Sequence, residues 1–266
     1  MTRSGATAVA RTVADGYDGR ARFARADADA VSRPRLLRGL LDTAGHVAEI
    51  PCGAGHFLAD YAVAGVETTL IDGNGTMLAA AIEHATELGL PADRTEAQYV
   101  QDLGDLPDVD LVVMPNAALN QLACQTPPVE LLTVIRRALR CGVELLAQVI
   151  CTHPDGRLDT TGFYDPARQH GGWFADRYLD PTRAGGAVLR RRRQHHADGA
   201  GRVRVEFDYL DSDGISLHTS GAELRVFSAE ELAAALTTAG FRHIRFLPGH
   251  GGLSEILAQV SSGDHR

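Results

Sequence analysis

The sequence of 266 residues contains no lysine, and its 26 basic side chains, all arginine, are outnumbered by 34 acidic ones. A formal net charge of −8 argues against the basic surface that captures nucleic acid or an anionic membrane. Long apolar runs are missing too, since the most apolar stretch, residues 143–151, is interrupted by Glu144 and Gln148. Residues 1–10 lack the apolar core of a signal peptide. We therefore expect a cytoplasmic protein with neither a nucleic-acid nor a membrane partner.

Cysteine is scarce as well, and only Cys52, Cys124, Cys141 and Cys151 are present. Their spacing is too irregular for a disulfide scaffold or a zinc site. We interpret them as reduced thiols and expect no bound metal.

From residue 47 onwards, short apolar runs alternate with segments of helical periodicity. The predicted elements are strands at 47–50, 68–71, 97–100, 111–114 and 143–150 and helices at 56–64, 76–88 and 129–139. Such alternation with short links is typical of a parallel sheet covered by helices on both faces. A capped helix between Ser228 and Gly240 and strands at 241–247 and 253–260 follow later. The sequence thus predicts an α/β, Rossmann-like domain with a seven-stranded, mostly parallel sheet.

The regular alternation is interrupted between the fifth strand and the late helix. Residues 152–186 are rich in glycine, proline and aromatic side chains, which indicates loops. Residues 187–226 predict antiparallel strands, because the run 202–209 alternates polar and apolar side chains. We interpret 152–226 as an antiparallel β-rich cap inserted after the fifth strand. Its arginine run, 190–193, is predicted to form the solvated face of an edge strand.

A glycine-rich turn follows the first predicted strand. In Glu49-Ile-Pro-Cys-Gly-Ala-Gly55, the glycines at 53 and 55 let the backbone turn sharply and approach a ligand closely. The helix that follows offers free N–H groups and a positive dipole end. Asp72 ends the next predicted strand, where a carboxylate can accept hydrogen bonds from ribose hydroxyls.

These segments, taken in order, resemble those of the class I S-adenosylmethionine-dependent methyltransferases of small-molecule type. Glu49 and the Gly53–Gly55 turn match the family's first motif. Residues 72–81, Asp-Gly-Asn-Gly-Thr-Met-Leu-Ala-Ala-Ala, match its second. Asp102 stands where the family has an acidic residue after the third strand, and 110–122 match its fourth strand and polar loop. The resemblance covers residues 47–150 well and 226–260 loosely.

The resemblance implies S-adenosyl-L-methionine as the cofactor. The residues that it assigns to the cofactor are Glu49, Pro51, Cys52, Gly53, Gly55, Asp72, Gly73, Met77, Asp102, Leu103, Pro115 and Asn116. Glu49 and the glycine turn would hold the methionine end, and Asp72 the ribose. Met77 would pack on adenine, and Asp102 would accept a hydrogen bond from the adenine amino group. Pro51 departs from the glycine common in the family, and the turn must suit a φ near −65°.

From the pattern along the chain, we expect an N-terminal helical lid at 1–40, a cofactor-binding core at 41–151 and 227–266, and a substrate-binding cap at 152–226. An NAD(P)-dependent oxidoreductase is the main alternative for this architecture. Its fingerprint requires a third glycine where Leu58 stands, and Glu49 would face the cofactor's pyrophosphate. A non-catalytic S-adenosylmethionine-binding module is the other alternative.

The methyl acceptor is expected between the loop after the fourth strand and the cap. The candidate catalytic residues are Gln121, Asn120 and His218. The candidate acceptor-binding residues are Tyr17, Asn120, Gln121, Tyr164, Trp173, Tyr178, Glu206 and Asp208. The aromatic side chains could enclose a cation or form a small separate core. The two carboxylates could hold an amine or face solvent, and the two amides could bind only the loop backbone.

We favour N-methylation of a small amine, amino sugar or guanidino compound in secondary metabolism, such as antibiotic biosynthesis. O- or C-methylation of a small metabolite is the alternative. The expected partner is the small-molecule acceptor, and a homodimer stays open.

Overall fold

The computed structural model describes residues 31–90, 94–152, 172–179, 189–197, 201–250 and 252–261, together with residues 20 and 23–25. In chain order the strands are β1 (His46–Glu49), β2 (Glu67–Asp72), β3 (Arg94–Ala97), β4 (Leu111–Met114), β5 (Glu144–Val149), β6 (Cys151–Thr152), β7 (Phe174–Leu179), β8 (Leu189–Ala197), β9 (Arg202–Leu210), β10 (Ser216–Arg225), β11 (Phe227–Ser228), β12 (Phe241–Pro248) and β13 (Ser254–Val260). The helices are α1 (Leu37–Leu41), α2 (Leu58–Ala64), α3 (Gly75–Glu87), α4 (Ala118–Leu122), α5 (Pro128–Ala138) and α6 (Ala229–Ala239).

The main sheet has seven strands in the order β12-β13-β5-β4-β1-β2-β3. Strands β1 to β5 run parallel, whereas β13 runs antiparallel to β5 and β12 antiparallel to β13. The predicted seven-stranded, mostly parallel sheet is confirmed.

Helices cover both faces of this sheet. Since successive side chains of a strand point to opposite faces, β4 supplies Val112 to one core and Val113 to the other. Helices α5 and α6 close the first core, and α1, α2 and α3 close the second. Burial on both faces explains why the central strands are continuous apolar runs. No helix in the described ranges is long and apolar enough to cross a membrane.

The third strand differs from its predicted position of 97–100. β3 occupies Arg94–Ala97, and Val100 begins a short 3₁₀ helix, Val100–Asp102. As an edge strand, β3 pairs only with β2 within the sheet and is largely exposed, so it carries little apolar signal. Val100 is buried, but as part of the turn that follows the strand.

The insertion after β5 forms a second, antiparallel sheet in the order β10-β9-β8-β7. The chain enters it through β6 and leaves it through β11, and these two short strands pair in parallel. A β-rich insertion after the fifth strand is therefore confirmed. Its predicted limits, 152–226, and the helical lid at 1–40 stay predictions.

The arginine run 190–193 does not lie on an edge strand, which corrects the prediction. β8 is paired on both sides, with β7 and with β9. Arg193 is only 4% exposed, so this part of the run does not face solvent. A run of like charges is typical of an edge strand, and β8 instead has a neighbouring strand on each side.

The cap sheet packs on the main domain through one face. Alternate residues of β9 point to this face, and they share a buried cluster with Ala117 and Ile150 of the main domain and with Phe23. These β9 residues are Val203, Val205, Phe207 and Tyr209. We call this side of the cap sheet its inner face.

Helix α6 begins with the predicted capping residue, Ser228, whose hydroxyl accepts a hydrogen bond from the Glu231 N–H at 3.0 Å. We expect Ser228→Ala to lower the free energy of unfolding by about 1 kcal/mol, because this N–H loses its partner. Thr237→Ala, on the exposed part of the same helix, is the control and should change stability by less than about 0.5 kcal/mol. Urea denaturation of both variants measures this difference, and equal stabilities would contradict it.

Candidate functional site

The candidate site lies where β1 and β4 are neighbours in the sheet. From β1 the chain proceeds to β2 and β3 on one side, whereas β4 continues to β5 on the other. In open α/β sheets, this change of direction leaves a crevice at the carboxyl ends of the strands, where ligands bind. Glu49 ends β1 and Asp72 ends β2, so the structure brings these two predicted residues to the crevice.

The Glu49 carboxylate is fully buried and is held by the glycine turn. Its Oε1 accepts the His56 backbone N–H at 2.8 Å and lies 3.2 Å from His56 Nδ1. The Cys52 carbonyl oxygen also lies 3.1 Å from Nδ1. Because both of these oxygens are acceptors, Nδ1 must carry a proton. Glu49 Oε2 is buried as well, and the buried Tyr61 hydroxyl forms a side-chain hydrogen bond with this carboxylate that helps to raise the pKa of Tyr61.

The glycines of the turn are required by its geometry. Gly53 and Gly55 have φ angles of 55° and 81°, which side chains disfavour. A Cβ on Gly55 would lie 2.3 Å from a Leu58 methyl carbon. Before the turn, the Ile50–Pro51 peptide bond is cis, and the Cys52 N–H bonds the carbonyl of Ile71 on β2. The turn is thereby tied to the neighbouring strand.

Asp72 uses both of its oxygens to order the same crevice. Oδ2 accepts the Gly53 N–H at 2.8 Å, and Oδ1 accepts the Asn74 N–H at 2.8 Å. Burial raises the pKa of Asp72 above its ordinary value, although these N–H groups act to lower the pKa. Each carboxylate oxygen has a further lone pair, so Asp72 can still accept hydrogen bonds from a ligand.

The two carboxylates make this end of the crevice negative. Burial first, and then the charges of Asp72 and Glu49, raise the pKa of the Cys52 thiol well above its usual range. The Tyr61 hydroxyl behaves similarly, since burial and the Glu49 charge raise its pKa. The Cys52 thiol therefore stays protonated at neutral pH and is not a nucleophile.

The predicted adenine end lies farther along the sheet edge. Asn74 caps helix α3 by accepting the Met77 N–H at 2.8 Å, and the buried Met77 packs against Ala54. Gly73 is also required, because a Cβ there would lie 2.4 Å from the Tyr99 ring. Asp102 and Leu103 follow β3 at the 3₁₀ helix, where Gln98 Nε2 donates to the Asp102 carbonyl at 2.7 Å.

The loop after β4 has a strained backbone. Asn116 and Ala117, which follow Pro115, have φ angles of 48° and 59°, which non-glycine residues rarely adopt. Gln148 on β5 holds both residues in place. Its Oε1 accepts the Asn116 N–H at 3.0 Å, and its backbone carbonyl accepts the Ala117 N–H at 3.0 Å. The sequence analysis did not identify this role of Gln148. Its only signal in the sequence is a single amide side chain within an otherwise apolar strand.

Asn120, a predicted catalytic residue, is fully buried and bonded to the backbone. Its Nδ2 donates to the carbonyls of Ile150 at 2.9 Å and Arg225 at 2.7 Å. Its Oδ1 accepts the Ile150 N–H at 2.9 Å. Asn120 thus joins α4 to both chain segments at the base of the cap. This geometry favours the alternative in which the amide binds only backbone groups, and the catalytic role of Asn120 stays a prediction.

Glu206 and Asp208 do not lie on the inner face of the cap sheet. Strand alternation places them on the opposite side from Phe207 and Tyr209. Glu206 is bonded by Gln194 Nε2 at 2.6 Å and Arg204 at 3.0 Å, and Asp208 accepts the Ser216 hydroxyl at 2.6 Å. The two carboxylates therefore lie on the side of the cap sheet away from the main domain, and their contact with the acceptor stays a prediction.

His218 is brought to the inner face, where its ring lies 5.8 Å from Phe23 and 6.1 Å from Tyr209 between ring centroids. Gln121 lies half-buried on α4, and Trp173 precedes β7 and is 38% exposed. Tyr178 belongs to β7, whereas Tyr17 and Tyr164 lie outside the described residues. The roles of these residues stay predictions.

The described residues contain no group of three or more His, Cys, Asp or Glu side chains that could hold a metal ion. The site is instead defined by two buried carboxylates, a glycine turn and a strained loop.

Among solved structures, the chain is similar to several methyltransferases. It matches DesVI of Streptomyces venezuelae with a TM-score of 0.63 and 19% identity, over 94% of this chain and 95% of that one. It matches CalS10, an amino pentose methyltransferase from Micromonospora echinaspora solved with S-adenosylmethionine bound, with a TM-score of 0.61 and 21% identity, over 92% and 94%. It matches the sugar N-methyltransferase KedS8 from Streptoalloteichus with a TM-score of 0.62 and 20% identity, over 90% and 87%.

No protein-family model matches the chain, and no curated protein does. At these identities the structural similarity defines the fold. The chain has the fold of the S-adenosylmethionine-dependent methyltransferases, and the fold expected from the resemblance is confirmed.

The structural role of Asn120 can be tested by its effect on stability. We expect Asn120→Ala to lower the free energy of unfolding by roughly 2–4 kcal/mol, because two buried backbone groups of Ile150 and the partly buried carbonyl of Arg225 lose their partner. Gln125→Ala, an exposed amide near the end of the same segment, should cost less than about 0.5 kcal/mol. Urea denaturation measures both. A stable Asn120→Ala protein that has lost methyl transfer would instead restore the catalytic interpretation.

Proposed function

We propose that this protein is an S-adenosylmethionine-dependent methyltransferase that acts on a small molecule. The observation that carries the proposal is the pair of buried carboxylates, Glu49 and Asp72, joined through one glycine turn at the topological switch point. The methyltransferase fold supports it independently.

The residues present fit this cofactor. Glu49 is a fully buried carboxylate whose charge a methionine ammonium group would complement. Asp72 is fixed by the Gly53 and Asn74 amides with lone pairs left for ribose hydroxyls. Gly53 and Gly55 keep the turn free of side chains beside both carboxylates.

When bound, S-adenosylmethionine supplies a methyl group on a positively charged sulfur. The Glu49 and Asp72 charges favour a cation at this place and disfavour a second anion. The strained loop at Asn116 and Ala117, together with the inner face of the cap, would hold the acceptor and exclude water from it. Alignment of this kind accelerates transfer without requiring a strong base.

The inner face is the proposed acceptor surface. Phe207, Tyr209 and His218 line it, and Phe23 stacks on Tyr209 with ring centroids 4.5 Å apart. Aromatic faces suit a sugar ring or a cationic amine, and in this structure the guanidinium of Arg20 lies 4.7 Å from the centre of the Phe207 ring. An acceptor would therefore take the place that Arg20 and Phe23 occupy on these rings. KedS8 is a sugar N-methyltransferase, which supports N-methylation. CalS10 is an amino pentose methyltransferase of calicheamicin biosynthesis, which supports an amino sugar or related amine in secondary metabolism as the acceptor.

Three further expectations stay predictions. They are a cytoplasmic location, a homodimer, and methylation of oxygen or carbon in place of nitrogen. The oxidoreductase alternative is disfavoured by Leu58. This fully buried side chain stands where the dinucleotide fingerprint requires its third glycine, and it packs against the Cα of Gly55.

We expect the protein to bind S-adenosylhomocysteine, the product form of the cofactor, and not NAD. Isothermal titration calorimetry measures both. Asp72→Ala should weaken S-adenosylhomocysteine binding by roughly 2–4 kcal/mol, because hydrogen bonds to an ionised carboxylate are lost. Asp105→Ala, at an exposed carboxylate beyond the predicted adenine end, is the control and should leave affinity unchanged. Saturable binding of NAD without a response to S-adenosylhomocysteine would contradict the proposal.

The raised pKa of Asp72 predicts how this affinity depends on pH. Acidification protonates Asp72 at a higher pH than an ordinary aspartate, whose pKa is about 3.9. Because the ionised form accepts the ribose hydroxyls best, affinity should be constant at neutral pH and should fall as the pH drops through this raised pKa. Calorimetry across the acid range measures the profile. Asp72→Asn should bind weakly with a flatter profile, and a profile equal to that of the wild type would show that Asp72 is not the titrating group.

A further inference from the structure

His56 directly follows the glycine turn, and its imidazole ring is held through one of its two nitrogen atoms. Nδ1 lies 3.2 Å from Glu49 Oε1 and 3.1 Å from the Cys52 carbonyl oxygen, so the proton on Nδ1 is donated to these acceptors. The His56 backbone N–H also donates to Glu49 Oε1, at 2.8 Å. Because the backbone and the ring of one residue are bonded to the same carboxylate, the ring has a defined position and, when neutral, a defined tautomer.

The second ring nitrogen, Nε2, is left for a ligand. Nε2 has no hydrogen-bond partner among the described residues, and it remains accessible from the surface. The His56 side chain is 16% exposed, whereas the Glu49 side chain is fully buried. Since the neutral ring carries its proton on Nδ1, Nε2 has a free lone pair and accepts a hydrogen bond. A ligand in the crevice can therefore reach Nε2, although it cannot reach the oxygens of Glu49.

The ring lies over the glycine turn, at the predicted methionine end of the cofactor. A Cβ on Gly53 would lie 2.9 Å from Cε1 of the ring and 3.7 Å from Nε2, so glycine leaves the space that the ring occupies. The Gly53 N–H donates to Asp72, and the charge of a protonated His56 acts to lower the pKa of Asp72. Glu49 and Asp72 thus both act electrostatically on this place. A cation that binds at Nε2 would be stabilised by both carboxylates.

We propose that His56 Nε2 accepts a hydrogen bond from the ammonium group of the cofactor's methionine end. An ammonium group is a donor only, so it matches the lone pair that the bond to Glu49 leaves on the ring. The methionine carboxylate is the other group at that end. It would need a proton on Nε2, and the charges of Glu49 and Asp72 disfavour an anion there. This inference rests on the proposed function, because it assigns a contact to the cofactor of a methyltransferase.

Calorimetry on His56→Asn tests the contact. Asparagine keeps an amide nitrogen near the position of Nδ1 and can still donate to Glu49, but it has no atom at the position of Nε2. We expect this variant to bind S-adenosylhomocysteine roughly tenfold more weakly than the wild type does, because one hydrogen bond to a charged group is lost. Methylthioadenosine lacks both the ammonium and the carboxylate group, and should bind equally to the two proteins.

His243→Asn is the matched control. His243 is an exposed histidine on β12 whose φ angle of 52° asparagine tolerates, so this variant should bind both ligands as the wild type does. Equal binding of S-adenosylhomocysteine by the wild type and His56→Asn would overturn the proposal. Equal losses for S-adenosylhomocysteine and methylthioadenosine would also overturn it, because they would give His56 only a structural role in the turn.

Two analogues of S-adenosylhomocysteine identify the group that His56 binds. The decarboxylated analogue keeps the ammonium group, and the deaminated analogue keeps the carboxylate. We expect the wild type to bind the decarboxylated analogue more tightly, and His56→Asn to weaken the binding of that analogue alone. Equal affinities of the wild type for the two analogues, or a loss confined to the deaminated one, would overturn the assignment to the ammonium group.

These titrations also distinguish a failure of this inference from a failure of the proposed function. A wild type that binds neither S-adenosylhomocysteine nor methylthioadenosine would overturn both. A wild type that binds both ligands, with no effect of His56→Asn on either, would overturn the role of His56 alone.

Discussion

Two buried carboxylates organise the crevice of this protein, and one glycine turn connects them. Glu49 accepts the backbone N–H that follows the turn, and Asp72 accepts the N–H of Gly53 within it. Burying a carboxylate without hydrogen bonds is costly, so the turn can adopt only conformations that supply these N–H groups. The positive φ angles at Gly53 and Gly55 follow from this constraint. Two carboxylates are thus buried at the carboxyl ends of β1 and β2, beside the topological switch point between β1 and β4.

The acceptor side of the crevice depends on two buried amides instead. Gln148 holds the strained loop after β4 and the segment before α1, and Asn120 holds the two ends of the cap. A side-chain amide has donors and acceptors, so one residue can satisfy backbone groups from several segments at once. These bonds position the cap and the loop relative to the sheet. The surfaces that would contact an acceptor are therefore set by residues that need not touch it.

The central fold was predictable because burial on both faces makes β1, β4 and β5 apolar runs with glycine-ended helices between them. The carboxylates were predictable because they end strands. The polar edge strand β3 was misplaced, since exposure removes the apolar signal. Alternation in β9 predicted two faces but could not tell which one packs against the main domain, so the side on which Glu206 and Asp208 lie could not be predicted. Asn120 was ambiguous because a catalytic amide and a structural amide look alike in sequence.

The charges along the crevice are arranged with opposite signs at its two ends. Glu49 and Asp72 lie at the β1 and β2 end, and Arg35 and Arg38 lie beside β13. In the proposed reaction the carboxylates would disfavour an anionic acceptor group at the cofactor end and favour a cationic one. An acceptor with a single amine would then enter with that amine towards the sulfonium end. Since a cationic amine must lose a proton before it attacks, this orientation fixes which end of the acceptor the inner face of the cap has to desolvate.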